Sequence, residues 1–310
     1  MHKKSQSPIF CLADGTARGI LAVVVRTEGP SYRSVGATMV FADDGSRLGS
    51  LSSGCIESDL AIHAQSVRNT GVPVVVTYGR GSPFIDIELP CGGGLDILLI
   101  AQPTAVELEV IACVKRDRTP RVIAISKTDG AISAVDDADA VTDDLFMLSL
   151  LPALQFCIFG KGPEAANFAS LAQALGYEGT LLSPDPETLN GFAGYDWRTV
   201  LLHKQTCPAG LNPDAHTAVV LFFHDHEWEA PLLRDLLQSD AFYIGAQGSK
   251  RAGLARTAEL HALGVSPDQC NRIVGPIGMI PSTRDPRTLA VSVMAEILNT
   301  AQAEFLRSTA

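Results

Sequence analysis

The stretch "LQFCIFGKGPEAANFASLAQALG", residues 154–176, decides the fold. Its first six residues form an apolar run of the right length for one buried strand. Gly160, Gly162 and Ala165 follow as a G-x-G-x-x-A turn, and then a helical pattern runs to Gly176. Gly160 allows a tight turn, Gly162 allows close approach by a pyrophosphate, and Ala165 lets helix and strand pack closely. Pro163 suits the first helical turn, where its missing N–H has no partner to lose. The same glycines also satisfy a tight βα turn that binds nothing, so both readings stand at this point.

Downstream the pattern repeats. Runs 179–184, 217–223 and 241–246 read as strands, and 227–238 and about 250–263 as helices. Leu289, Val293 and Ile297 recur at four-residue spacing on a last helix, which must pack on something. Strands alternating with helices imply a doubly wound parallel sheet. Three details qualify the ligand. A dinucleotide site wants an acid at the end of the second strand, and Ser183 stands there, with Asp185 two residues on. "HDH" at 224–226 sits where a strand ends, but alternation sends His224 and His226 to opposite faces. "GAQGSKR", 245–251, is a second glycine turn that either meets a phosphate or starts a helix, and "GPIGMI", 275–280, reads as a rigid loop.

The first hundred residues have another style. Runs 20–26, 36–42, 72–78 and 95–101 read as strands and 55–69 as one helix, with glycine-rich turns between them. Residues 104–152 form a bridge containing a helix, a strand and an acidic run at 136–144. The expected organisation is α/β: an N-terminal α+β domain at 1–103, the bridging segment 104–152, and a Rossmann-like domain at 153–310.

Bulk properties narrow the function. With 46% hydrophobic and 19% charged residues, the 310-residue chain can bury sizeable cores. A net charge of -10 without a basic stripe disfavours nucleic acid and membrane surfaces as partners. No secretory leader or membrane span is read, so a cytoplasmic location is expected. Seven scattered cysteines without a CxxC pair argue against a disulfide framework or a zinc ribbon.

Two cysteines stand out. "GSLSSGCIESDL", 49–60, places Cys55 after Ser52, Ser53 and Gly54 at an expected helix start. Helix dipole and open amides there favour thiolate and anions. Glu57 serves as an acid or base, or simply complements the dipole. "LPCGGGLDI" places Cys91 before Gly92 and two further glycines, whose presence signals close backbone approach or positive φ. Thiolates are soft ligands for a metal, so Cys55 is the metal-ligand candidate, and they can also carry sulfur. The other five cysteines read as inert.

"AVVVRTEGPSYRSVGATMVFADDGSRLGSLSSGCIESDL", "PCGGGLDILLIA", "FGKGPEA" and the segments around 222–251 and 275–298 together resemble the XdhC-like xanthine dehydrogenase accessory family. The resemblance covers most of the chain and is patchy only at 104–152. It implies a cofactor-binding chaperone more than a catalyst with its own turnover. Such a protein binds the molybdenum cofactor (molybdopterin), assists its sulfuration by a cysteine desulfurase, and inserts it into a molybdenum hydroxylase such as xanthine dehydrogenase. On that resemblance Cys55 handles cofactor or sulfur with Glu57 beside it. Cys91 is secondary, Arg33 and Gly36 help form the pocket, and Gly160 and Gly162 mark the Rossmann turn. The chain departs from the family pattern at Ser52 and Ser53, where glycines are usual, at Ser183, where an acid is usual, and at "IPSTRDP". The competing readings are an NAD(P)-dependent oxidoreductase using the Rossmann turn and His224/His226, and an adaptor that only docks enzymes. A homodimer is expected for a fold with sheet edges of this kind.

Overall fold

The structure is a computed structural model, and it describes residues 7–52, 54, 56–80, 92–135, 142–192, 197–224 and 226–305, with the side chain of His226 excepted. The chain divides into two compact units between Pro152 and Ala153.

The first unit begins with α1 (Pro8–Ala13), β1 (Gly19–Glu28), β2 (Thr38–Ala42) and β3 (Arg47–Gly49). It continues with α2 (Glu57–Thr70), β4 (Val74–Gly79), β5 (Gly94–Ile100) and α3 (Ala105–Asp117), and closes with β6 (Arg121–Ser126), β7 (Ile132–Val135) and β8 (Leu145–Leu150). Five strands form an antiparallel sheet in the order β3-β2-β1-β5-β4. The run in β1 is continuously apolar because both faces of this sheet are covered. Ile20, Ala22 and Val24 pack with Leu60, Ala64 and Val67 of α2. Leu21 and Val23, pointing the other way, pack with α1, with Ile111 and Val114 of α3, and with Ile123, Phe146 and Leu148 of the small sheet β7-β6-β8. Residues 105–150 thus contribute α3 and a three-stranded sheet to the core of the first unit. The acidic run at 136–144 lies mostly outside the described residues.

The second unit runs β9 (Gln155–Gly160), α4 (Pro163–Ala174), β10 (Glu178–Ser183), α5 (Pro186–Asn190), β11 (Arg198–Leu201) and β12 (Thr217–Phe222). There follow α6 (His226–Leu236), β13 (Tyr243–Ala246), α7 (Lys250–Ala262), α8 (Pro267–Cys270), β14 (Ile273–Val274) and α9 (Pro286–Phe305). All strand pairs are parallel, in the order β11-β10-β9-β12-β13-β14. This is the two-halved Rossmann order, with the switch point between β9 and β12. Alternation along each strand feeds two cores. Phe156, Ile158, Val220 and Phe222 face α4 and α9, while Cys157, Phe159, Val219 and Leu221 face α6 and α7. The four-residue spacing of Leu289, Val293 and Ile297 is answered by Ala165, Phe168 and Ala172 of α4. Strands β7, β8, β11 and β14 carry no long β-branched run and were not legible in the sequence.

Candidate functional site

The antiparallel order of the first sheet gathers the conspicuous loops. Strands β1, β3 and β4 end, and β2 and β5 begin, at the same edge. The described residues that flank segments 29–37, 50–56 and 80–93 therefore lie along that one edge. These loops carry Arg33 and Gly36, then Ser52 to Cys55, then Cys91 and Gly92. Ser53, Cys55 and Cys91 lie outside the described residues, so the geometry comes from their neighbours.

Glu57 organises the middle loop. It is the first residue of α2, which starts two residues later than the sequence suggested. Its buried carboxylate turns back on the chain before it. The Ser52 amide donates to Oε1 at 2.8 Å, the Ser52 hydroxyl to Oε2 at 2.6 Å, and the Leu51 amide to Oε1 at 3.2 Å. The Ser50 hydroxyl lies 3.1 Å from Oε1 and also bonds the Ser52 carbonyl. Burial by itself would raise this carboxyl, but the hydrogen bonds from Ser52, from its own amide and from Ser50 outweigh it, and the net shift is downward. Glu57 is thus held as carboxylate with its lone pairs engaged, an arrangement suited to fixing a loop. The Gly54 amide donates inward to Ser52 Oγ at 3.2 Å. The sequence suggested a nest of open amides at 52–54; the anion held by the amides of Leu51 and Ser52 is Glu57.

Arg33 joins the first loop to the second by donating from Nε to the Ser50 carbonyl at 3.2 Å, and it stacks on Tyr32. Its guanidinium keeps the fork of donors that suits a phosphate. Gly36 sits at φ +87°, and its amide pairs with the Val24 carbonyl. The third loop closes through glycines. Gly92 takes φ +67°. A Cβ on Gly93 would lie 2.0 Å from the Pro30 carbonyl oxygen, and one on Gly94 would lie 2.9 Å from that of Arg80. Glycine is needed there because backbones touch, which is the close approach that the sequence signalled.

Sequence reasoning missed the polar chain behind this edge. The buried Tyr78, near the end of β4, donates to Asp59 of α2, and His63 lies 3.5 Å from the same carboxylate. Burial and the adjacent Asp59 push the Tyr78 phenol well above its usual range. The helical spacing of Asp59 and His63 was visible in the sequence, but nothing there placed Tyr78 beside them.

The Rossmann turn is also built as read, with Gly162 as the N-cap of α4 at φ +84° and Pro163 in the first turn. A Cβ on Gly160 would meet the Phe222 carbonyl oxygen at 2.5 Å. Ser183 is fully buried, and its hydroxyl accepts from the Asp185 amide at 3.0 Å. Asp185 caps α5. His224 sits 3.3 Å from Glu164 Oε1, whereas Asp225 and the His226 side chain fall outside the described residues. Ser249 caps α7, so "GAQGSKR" starts a helix. Cys11, Cys113, Cys157, Cys207 and Cys270 form no disulfide, and burial first and Asp235 second push the Cys207 thiol up to about 12. Among the described residues no three His, Cys, Asp or Glu side chains gather as a metal site, and no helix is long and apolar enough to cross a membrane.

Comparison with known proteins agrees with both halves. Residues 12–79 match the XdhC and CoxI family, and residues 156–297 match the XdhC Rossmann domain. The chain is 31% identical over 280 residues to the molybdenum cofactor insertion chaperone PaoD of Escherichia coli (strain K12), spanning 90% of this chain and 82% of that protein. The chain belongs to the XdhC and CoxI family. A probable xanthine dehydrogenase subunit of Bacillus subtilis (strain 168) is 23% identical, with 93% and 95% of the two chains covered. The same fold occurs in a crystal structure described as a xanthine dehydrogenase from Bacillus halodurans, with a TM-score of 0.77, 23% identity and 96% and 97% coverage.

Proposed function

We propose that this chain is a molybdenum-cofactor chaperone whose cargo sits on the loop edge of the five-stranded sheet. The observation that carries the reading is that β1, β3 and β4 end and β2 and β5 begin at one edge of the sheet, so that the segments 29–37, 50–56 and 80–93, which carry both singled-out cysteines in the sequence, all start from that edge. The relationship to PaoD supports it. In this reading Cys55 is the soft ligand or sulfur carrier, with Cys91 and Gly92 on the neighbouring loop. Arg33 takes the terminal phosphate of the cargo. Gly36, Ser52, Ser53 and Gly54 act through the shape of the turns, and Glu57 acts by holding Cys55's loop in place. Release goes to a molybdenum hydroxylase such as xanthine dehydrogenase, after a cysteine desulfurase has supplied the terminal sulfur.

The test is cofactor binding. The unaltered chain and its Cys55→Ala variant are purified anaerobically from a host that makes the cofactor, and bound molybdenum and pterin are assayed. Stoichiometric loading of the unaltered chain and at least about tenfold weaker loading of the variant are expected, a loss of ~1.4 kcal/mol. No loading of either protein refutes the proposal. Equal loading moves the ligand to Cys91.

A further inference from the structure

The strand order of the second unit is that of dinucleotide-binding sheets, and its first turn has the glycine spacing, so the fold implies a nicotinamide or flavin nucleotide at the β9–α4 turn. The residues present do not fit that group. We infer that the turn is closed from within: Glu164 lies where a pyrophosphate would lie, and Thr188 takes the donor that would bind it.

Four features carry this inference. The Gly162 amide donates to Thr188 Oγ1 at 2.9 Å, and that hydroxyl is itself held by Asp185 at 2.6 Å. The next residue, Pro163, has no N–H, so the first turn of α4 is short of a second donor. The Glu164 carboxylate folds back over Gly162, its Oε2 being 3.8 Å from where a Cβ on that glycine would stand. Its Oε1 reaches His224 at 3.3 Å, beyond the end of β12. The carboxylate therefore spans the crevice between β9 and β12 at the switch point, and its own charge complements the helix dipole that would otherwise draw a phosphate. At the other end of the cleft, Ser183 is buried against the Asp185 amide, and Asp185 is engaged by the amides of Glu187 and Thr188. No carboxylate is thereby offered to a ribose.

The glycines have architectural reasons that need no ligand. Gly160 lets β9 pass the Phe222 carbonyl, and Gly162 supplies a helix cap at a positive φ that side chains disfavour. The second unit of this chain is a Rossmann fold that does not use its glycine turn for a nucleotide, whatever the first unit carries.

The test uses the full chain and two probes, inorganic pyrophosphate by calorimetry and NADH or NADPH by fluorescence. The unaltered protein is expected to show no saturable binding up to about 1 mM. A Pro163→Ala/Glu164→Gln/Thr188→Ala variant restores one N–H, frees another and removes the charge. It is expected to bind pyrophosphate at least about tenfold more tightly than the parent. Glu164→Gln alone, the mildest change, should give a smaller gain in the same direction and guards against misfolding of the triple variant, which circular dichroism checks. Micromolar binding of either probe by the unaltered protein, with the 160–166 amides protected from hydrogen exchange, overturns the inference. So does a folded triple variant with no gain.

Discussion

Replacing Glu57 by alanine tests the organisation of the candidate site. The carboxylate receives two short hydrogen bonds, from the Ser52 amide at 2.8 Å and hydroxyl at 2.6 Å, and longer ones from Leu51 and Ser50. A hydrogen bond to a charged group contributes about 1.5–3 kcal/mol, and an orphaned buried amide costs about as much. Relaxation of the loop toward water recovers part of this, so we take a local cost of about 3 kcal/mol. That corresponds to roughly hundredfold faster amide exchange at Leu51 and Ser52, measured in the intact chain near neutral pH. Glu57→Gln keeps one acceptor oxygen, and the Ser52 hydroxyl can rotate to accept from its NH2, so its cost is about 1 kcal/mol. The pH dependence has a defined sign. The folded carboxyl is depressed below its unfolded value of about 4.3, so its contribution is complete above that pH and disappears as pH falls through the folded value. The difference between the unaltered chain and Glu57→Ala must therefore shrink in acid. Unchanged protection at Leu51 and Ser52 in the alanine variant would refute the view that Glu57 holds this loop.

Other consequences are as direct. Gly93→Ala should destabilise the first unit by at least about 3 kcal/mol in urea, because its Cβ would stand 2.0 Å from the Pro30 oxygen on backbone that cannot yield. Gly160→Ala should do the same to the second unit, where Trp197 and Trp228 both lie, so that their fluorescence reports the loss. In the second unit Arg256 Nε lies 3.0 Å from Glu229 with both side chains nearly inaccessible. Arg256→Met should cost about 3–5 kcal/mol by removing the buried cation from beside that carboxylate and from the Gln247 carbonyl, and combining it with Glu229→Leu should recover part of that loss in the same unfolding assay. Tyr78 and Tyr243 are both pushed above the usual phenol range, by burial first and by Asp59 or Glu296 second. An alkaline absorbance titration should show them ionising only with unfolding, and stability should fall above about pH 10, where the unfolded phenols ionise. Two early tyrosinates at these positions, identified with Tyr→Phe variants, would contradict the burial.

A glutamate lies against the anion-nest candidate of each unit, Glu57 held by the amides of Leu51 and Ser52 and Glu164 beside Gly162, whose own amide goes to Thr188. Residues 50–54 and 160–165 both have the small residues and helix starts that mark an anion nest, and both were legible as such. In each case the anion close at hand comes from the chain itself: Glu57 two residues after Cys55, and Glu164 two residues after Gly162. Both acids were visible in the sequence. Their direction was not, since a first-turn glutamate can equally point to solvent and serve the dipole from there.

Local chemistry determined a good deal of this protein. The period of the apolar residues set which runs are strands and which are helices. Gly160, Gly162 and Pro163 set a strand–turn–helix unit, and the alternation beyond it set a parallel sheet, because these depend on steric preferences within a few residues. Tertiary structure alone decided that loops from residues 29, 50 and 80 share one edge, since that follows from strand order and not from any local pattern. It decided that Tyr78 meets Asp59, that Gly93 must yield to Pro30, and that Thr188 reaches the Gly162 amide across 26 residues of chain. Such contacts are set by which backbones the packed sheets bring within hydrogen-bonding distance, a quantity that no short window of sequence contains.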